Sequence, residues 1–267
     1  MPASTPVRIA VHGAAGRMGE AILRAALDRT DSVPVAAWVR GGSALDGRPL
    51  SATFGASAPA LSYTSRIPAD ADPHVLIDFS LPVAFDAALA EALARGIAFV
   101  SGTTGLRPAQ RQALDEASRS IPVLWSANFS VGIALLSRLV AEAARALPDW
   151  DCEITEAHHA AKLDAPSGTA LALGREVAAA RARDFTASAV LTRAGAGTRR
   201  EDGSIGFSAI RAGDIVGEHT VMFATRGERI ELTHRATDRA IFARGALHAA
   251  LWIAGRAAGC HTLIDTL

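Results

Sequence analysis

Residues 7–19 read VRIAVHGAAGRMG, and this stretch decides what kind of sheet the chain begins with. Val7–His12 is a short apolar run, broken only by Arg8, with the pattern of a strand buried in a parallel sheet. Gly13, Gly16 and Gly19 follow in a GxxGxxG spacing, and an Ala/Leu-rich helical segment continues to Leu27. Strand, glycine turn and helix in this order form the dinucleotide-binding arrangement. Gly13 makes the tight turn, Gly16 admits a phosphate, and Gly19 lets the helix lie against the sheet. Glycines also punctuate ordinary strand–helix joins, so the motif takes its weight from its place after the first strand. Arg17 stands beside the turn, where a guanidinium can pair with phosphate.

Downstream, residues 35–39 form a second strand candidate within AAWVRGG. The acid that usually holds a ribose near such a strand end is missing: Val39 stands there and Arg40 follows. Arg40 can pair with a 2′-phosphate, or be a surface arginine in a loop; the upstream glycine motif favours the phosphate role. Residues 41–74 are rich in Gly, Ser, Ala and Pro and predict irregular loops with one short edge element near residues 61–67. Strands are predicted at 75–79, 97–100 and 122–125, with helices at 82–95, 108–118 and 131–147. The strand at 97–100 ends in Ser101-Gly102-Thr103-Thr104-Gly105 and that at 122–125 in Ser126-Ala127-Asn128-Phe129-Ser130. Small and hydroxyl residues there allow a cofactor to approach the backbone, or simply make a turn. Asn128 can contact a nicotinamide or cap the next helix. The repeating βα pattern predicts a mostly parallel sheet, an α/β fold.

The second half restarts as a strand over residues 152–158 and runs into EITEAHHAAKLDAPSGTA, residues 153–170. Strand, polar loop and helix N-terminus bring His158, His159, Lys162 and the free amides near Gly168 and Thr169 to one strand end. A helix N-terminus attracts anions, and histidine or lysine can deliver a proton beside it. The helix is predicted over 167–182, a strand over 187–192, and a flexible basic loop over 193–204. Arg193, Arg199 and Arg200 in that loop either meet an anionic ligand or are solvated. Segments 205–210, 215–224 and 229–234 read as three neighbouring strands of an antiparallel or mixed sheet, and 239–255 as an amphipathic helix returning to the first domain. Adjacent histidines diverge in an extended segment, and no third ligand stands nearby, so no metal centre is expected. No nucleophile elbow, Walker loop, clustered thiolates or HExxH run occurs.

Composition sets the class. With 267 residues, 49% apolar and 20% charged, the chain can bury a substantial core. Lys+Arg and Asp+Glu each number 27, which argues against a dedicated nucleic-acid binder. Cys152 and Cys260 form no close motif, so a reduced compartment is expected. The N-terminus MPASTPVRIAVHG lacks secretory-signal features, and no apolar run reaches membrane-spanning length, so the expectation is a soluble cytoplasmic protein with no membrane partner.

Taken together, Gly13–Gly19, Gly102–Gly105, the segments 127–130 and 156–170, and Arg211-Ala-Gly-Asp-Ile-Val-Gly-Glu-His219 resemble the 4-hydroxy-tetrahydrodipicolinate reductase (dihydrodipicolinate reductase) family over nearly the whole chain. The resemblance implies a Rossmann-type nucleotide-binding domain over residues 1–129 and an α+β domain for substrate and oligomerisation over 130–238. Residues 239–267 would return to the first domain, and the assembly would be a homotetramer. It further implies an oxidoreductase acting on a CH or CH2 group. Such an enzyme reduces a cyclic dicarboxylate with NADPH or NADH, with loss of water, in lysine and diaminopimelate biosynthesis. His158 and Lys162 take the proton-donor positions, and His159, Lys162, Gly168 and Thr169 hold the substrate carboxylates. Gly13, Ala14, Ala15, Gly16, Arg17, Met18, Gly102, Thr103, Thr104, Ser126, Ala127, Asn128 and Phe129 line the cofactor, with Arg40 as the candidate phosphate contact. Two departures stand out: Ala160-Ala161 replaces a gap that is often basic, and Val39 replaces a ribose contact that is often acidic. Rival readings are a redox-inactive nucleotide-binding module and a structural scaffold; the intact strand-end sites weigh against both.

Overall fold

The computed structural model describes residues 5–195, 197 and 199–267. The first four residues, part of the N-terminus read above, lie outside them, as do Ala196 and Thr198 of the basic loop. In chain order the elements are β1 (Val7–His12), α1 (Arg17–Leu27), β2 (Ser32–Trp38), α2 (Ser51–Phe54), β3 (Tyr63–Thr64), β4 (Val75–Asp78), α3 (Pro82–Arg95), β5 (Ala98–Ser101), α4 (Pro108–Ala117), β6 (Pro122–Trp125) and α5 (Val131–Ala146). There follow β7 (Asp151–His158), α6 (Gly168–Ala180), α7 (Phe185–Ser188), β8 (Ala189–Val190), β9 (Ile205–Arg211), β10 (Gly217–Thr225), β11 (Glu228–Ala236), α8 (Ala240–Ile253) and β12 (Gly259–His261). The chain divides into two compact units, Met1–Ser130 with Ala240–Leu267, and Val131–Arg239.

The first unit holds a seven-stranded sheet in the order β12-β6-β5-β4-β1-β2-β3, with every pairing parallel. β4 is buried along its whole length, as parallel strands with both faces covered must be. The chain winds outward from β1 through β2 to β3, then returns to β4 and winds the other way. The carboxyl ends of β1 and β4 therefore flank the switch point where such sheets bind ligands. Phe85, Phe99, Leu76 and Leu114 lead the core on one face. Gly19 lets α1 approach the turn, since a Cβ there would overlap the Gly13 carbonyl. Gly245 does the same for α8, where a Cβ would overlap the carbonyl oxygen of Phe129. The short edge element is β3; β12 carried no periodic signal, being three residues long.

The second unit is a mixed five-stranded sheet, ordered β11-β10-β7-β9-β8. The three strands of residues 205–236 are not neighbours in a row. β7 lies between β9 and β10, parallel to β9 and antiparallel to β10. The reason is α6, which carries the chain from β7 to a parallel strand as a crossover requires. Residues 187–192, predicted as one strand, end the short helix α7 and leave two residues to β8. Asp184 caps that helix by accepting from the Ala187 amide at 2.8 Å. Cys152, Ile154, Val221, Phe223 and Phe207 face Leu136 and Val140 of α5 and Leu173 and Val177 of α6.

Candidate active site

β7 alternates in and out, so the face that carries Cys152 and Ile154 into the core next carries Glu156 and then His158. The strand registers continue that face sideways. Cys152 lies beside Phe223 and Ile205, Ile154 beside Val221 and Phe207, Glu156 beside His219 and Ala209, and His158 beside Arg211. Two apolar layers thus give way to two polar ones at the carboxyl end of β7. Glu156 is only 1% exposed. Its carboxylate accepts from His158 Nδ1 (2.6 Å), the Ser167 amide (3.0 Å), and Arg211 Nη1 and Nη2 (2.8 and 2.7 Å). Burial opposes the charge on Glu156, but the hydrogen bonds from Arg211, His158 and Ser167 outweigh it and hold the carboxyl below its usual range. His219 is buried, and its Nε2 lies 3.1 Å from Ser167 Oγ. Burial and the neighbouring His158 push its imidazole down to about 4.

Ala212 N donates to the His158 carbonyl at the end of β7, Ala160 N pins the following loop to the Gly213 carbonyl in the turn after β9, and Arg211 also donates to the Asp164 carbonyl. Lys162 Nζ donates to both oxygens of Asp164, at 2.8 and 2.9 Å. Those bonds hold the Asp164 carboxyl below its usual range. Ser167 caps α6 by accepting from the Ala170 amide (3.2 Å), and exposed Gly168 is the first helical residue. A Cβ on Gly168 would meet no atom within 4 Å, and its φ lies outside the left-handed region, so the fold itself does not require glycine there. Gly168→Val would therefore meet no obstructing atom of the protein. His158, His159, Lys162, Gly168 and Thr169 are gathered in this one loop and its flanks. The basic loop is elsewhere: Arg193 and Arg200 pair with Glu153, and Arg200 also with Asp151, residues whose alternation places them on the opposite face of β7. Neither arginine meets the His158 cluster. Among the described residues no group of three or more His, Cys, Asp or Glu side chains is arranged to hold a metal ion.

In the first unit, the Gly13 and Ala14 amides both donate to the Trp38 carbonyl at 3.1 Å, which folds the turn back between β1 and β2. A cavity of about 510 Å³ opens there, lined by Gly13, Ala15, Gly16, Val39, Arg40 and Phe79 among others. Ala14 is buried, Met18 half-buried, and Arg17 faces a separate cavity along α1 with Arg24 and Arg244. The other strand ends have reasons of their own. Gly102 is small because a Cβ would overlap the Phe79 ring, and the Thr103 hydroxyl turns inward to Asp78 at 2.8 Å, whereas Thr104 is exposed. Asn128 Oδ1 accepts from the Ser130 amide (2.8 Å), Ser126 Oγ donates to the Asn128 carbonyl, Ala127 is exposed, and buried Phe129 packs on Phe79.

The sequence reading overlooked two carboxylates. Asp78 is fully buried at the end of β4 and binds His12 Nδ1 (2.8 Å), Ser101 Oγ (2.9 Å) and Thr103 Oγ1, tying three strand ends together. Burial opposes its charge, and the hydrogen bonds from His12, Ser80 and Thr103 prevail, holding the carboxyl below its usual range. Glu156 is the other. Its signal was its position two residues before His158 on a strand, since same-face neighbours recur at a period of two.

The comparisons with known proteins cover nearly the whole chain. The family model described as "Dihydrodipicolinate reductase, N-terminus" matches residues 7–129, and "Dihydrodipicolinate reductase, C-terminus" matches residues 132–267. A 4-hydroxy-tetrahydrodipicolinate reductase of Stenotrophomonas maltophilia is 47% identical over 267 residues, 98% of each chain. One of Pseudomonas fluorescens is 46% identical over 263 residues, 97% of this chain and 98% of that one. The solved dipicolinate-bound dihydrodipicolinate reductase from Paenisporosarcina shares the fold, with TM-score 0.77 at 23% identity, covering 98% of this chain and 100% of that one. With both family models matched, over residues 7–129 and 132–267, and relatives nearly half identical over almost the full length, the chain belongs to the dihydrodipicolinate reductase family.

Proposed function

We propose that the chain reduces 4-hydroxy-tetrahydrodipicolinate with NADPH or NADH, releasing tetrahydrodipicolinate and water, with His158 and Lys162 as its proton-handling residues. The observation that carries this reading is the layer at the end of β7: an ionised Glu156 on His158 Nδ1, beside the open first turn of α6. A dianionic ring needs cations and amide donors, the roles proposed for His159, Lys162, Gly168 and Thr169. Lys162 meets one carboxylate already, that of the exposed Asp164, and a substrate carboxylate can take its place. His158 Nε2 and Lys162 Nζ are the atoms that hold or deliver the proton.

The glycine turn fits a dinucleotide: Gly13, Ala15 and Gly16 line its cavity, and Gly13, with a positive φ of 77°, lies so close to the end of β4 that a Cβ would overlap the Phe79 carbonyl. When bound, the reduced nicotinamide supplies the hydride. The residues proposed to hold it are the turn from Gly13 to Met18, Gly102 to Thr104 and Ser126 to Phe129. Val39, buried and uncharged, accepts no ribose hydrogen bond, and Arg40 lines the same cavity, so NADPH should compete at least equally with NADH. The second unit is proposed to bind substrate and to join four copies into a homotetramer, and the cytoplasm is the proposed compartment. No helix among the described residues is long and apolar enough to cross a membrane.

The test is turnover. Purified protein supplied with freshly generated substrate should oxidise NADPH and NADH, and His158→Ala and Lys162→Ala should each lower kcat by about two to four decades. Arg40→Ala should raise the KM for NADPH and leave that for NADH unchanged. Absence of turnover with either cofactor, in folded protein that binds the substrate, rejects the enzyme reading in favour of a nucleotide-binding module.

A further inference from the structure

Residues 211–219, RAGDIVGEH, have no part in the chemistry above, yet three of them converge on His158. Arg211 forks onto Glu156, with Nη1 on Oε2 (2.8 Å) and Nη2 on Oε1 (2.7 Å), and Glu156 Oε2 in turn holds His158 Nδ1 at 2.6 Å. Gly217 clears the other side of the ring: a Cβ there would stand 3.0 Å from His158 Nε2. His219 meets the ring edge-on, with centroids 5.2 Å apart and planes at 75°, and ties it through Ser167 to the start of α6.

We infer that Glu156, Arg211, Gly217 and His219 form a mount that fixes the orientation and tautomer of His158, which makes Glu156 and Arg211 positioning residues for the reduction. The inference rests on the reading of His158 as the acid–base group. The donors around Glu156 decide the tautomer. Glu156 accepts four hydrogen bonds, and an ionised carboxylate has no proton to give. The proton on the Glu156–His158 contact therefore sits on Nδ1. That leaves Nε2, the atom Gly217 keeps uncrowded, as the one that accepts or releases the catalytic proton. Arg211 holds both carboxylate oxygens in one plane, so Glu156 cannot rotate away from the ring. The same arginine binds the Asp164 carbonyl and so keeps the Lys162 loop in register with the histidine.

Glu156→Gln separates this from a merely structural role. A glutamine keeps the size and one acceptor, which can stay on the Ser167 amide and Arg211 Nη2. Its amide nitrogen then faces His158 Nδ1 and can only donate, so the ring must move its proton to Nε2. The experiment uses full-length protein with 15N-labelled histidine, assigned by comparison with His158→Gln, and reads tautomers by long-range 1H–15N spectra beside steady-state kinetics. Wild type should show His158 as the Nδ1–H tautomer, and Glu156→Gln as Nε2–H. The kcat should fall by about 10²–10⁴-fold, with substrate KM within about fivefold and NADPH affinity unchanged. Glu156→Asp should recover at least about tenfold of the loss. If Glu156→Gln fails to fold, Gly217→Ala serves: it leaves the carboxylate clamp intact, so it should keep Nδ1–H and still lower kcat by crowding Nε2. An unchanged tautomer in Glu156→Gln, or a kcat within about threefold of wild type in whichever variant folds, overturns the mount. A wild type that turns over neither cofactor overturns the enzyme reading instead, and the tautomer spectra still decide the mount.

Discussion

His219 carries a stability signature of its own. Its imidazole sits at about 4 in the folded protein against an ordinary 6.5, because burial and His158 disfavour the charge. The unfolded chain therefore binds the extra proton between those values, and stability present above about pH 6.5 is lost as the pH falls toward 4. The full shift corresponds to roughly 3 kcal/mol. Urea titrations at pH 7 and pH 4.5 should show that loss in wild type and a smaller one in His219→Asn; equal losses would reject the assignment. Gly168 makes a complementary case. Its position has neither positive φ nor a neighbour to crowd, so Gly168→Ala should leave the melting temperature unchanged or slightly raised. If a substrate carboxylate lies on that first turn, the same change should raise substrate KM by about tenfold, the cost of weakening one charged hydrogen bond. An unchanged KM would assign Gly168 to the helix start alone.

Among the elements, α8 carries the clearest test. It packs in the first unit through a stripe of Ala243, Ala246, Ala249 and Ala250, all fully buried, and Gly245 brings its backbone onto the Phe129 carbonyl. A methyl there has nowhere to go, because the obstructing atom is backbone and not a side-chain end. Gly245→Ala should cost about 1–3 kcal/mol, the range for overpacking, although alanine favours helix. Because Phe129 ends the bend proposed to line the cofactor, the variant should also bind reduced nucleotide more weakly. Thermal unfolding and nucleotide titration check both, and a variant as stable as wild type would show that α8 is free to shift. No helical pattern announced this, since a glycine inside an alanine-rich run looks like any other small residue.

In the assembled protein the five-stranded sheet is the surface to watch. α5 and α6 cover one face; the other presents Ile210, half exposed, with Met222, Thr220 and Thr233, beside the ion pairs of Glu153 with Arg193 and Arg200. A face of this kind is readily buried against copies of itself. Sedimentation should give four times the 27.7 kDa chain mass, and Ile210→Asp, which sets a charge on that face, should give smaller species. A monomeric wild type would remove the homotetramer from the proposal.

How much of this was legible follows from the range of each interaction. Strand, glycine turn and helix at residues 7–27 are specified locally, by period and by backbone freedom, and so were the strand ends that carry His158, Thr103 and Asn128. That the GxxGxxG turn stands at the switch point of the sheet follows only from the strand order. The insertion of β7 between β9 and β10 was out of reach, because strand order depends on pairing between segments far apart in the chain, and alternation looks the same whichever neighbour a strand takes. The roles of Asp78, Glu156, Arg193, Arg200 and Arg211 were hidden for the same reason. A charge read in sequence has a sign but no partner. Only the tertiary structure set Arg211 on Glu156 across 55 residues while it spent Arg193 on Glu153, on the far side of the same strand.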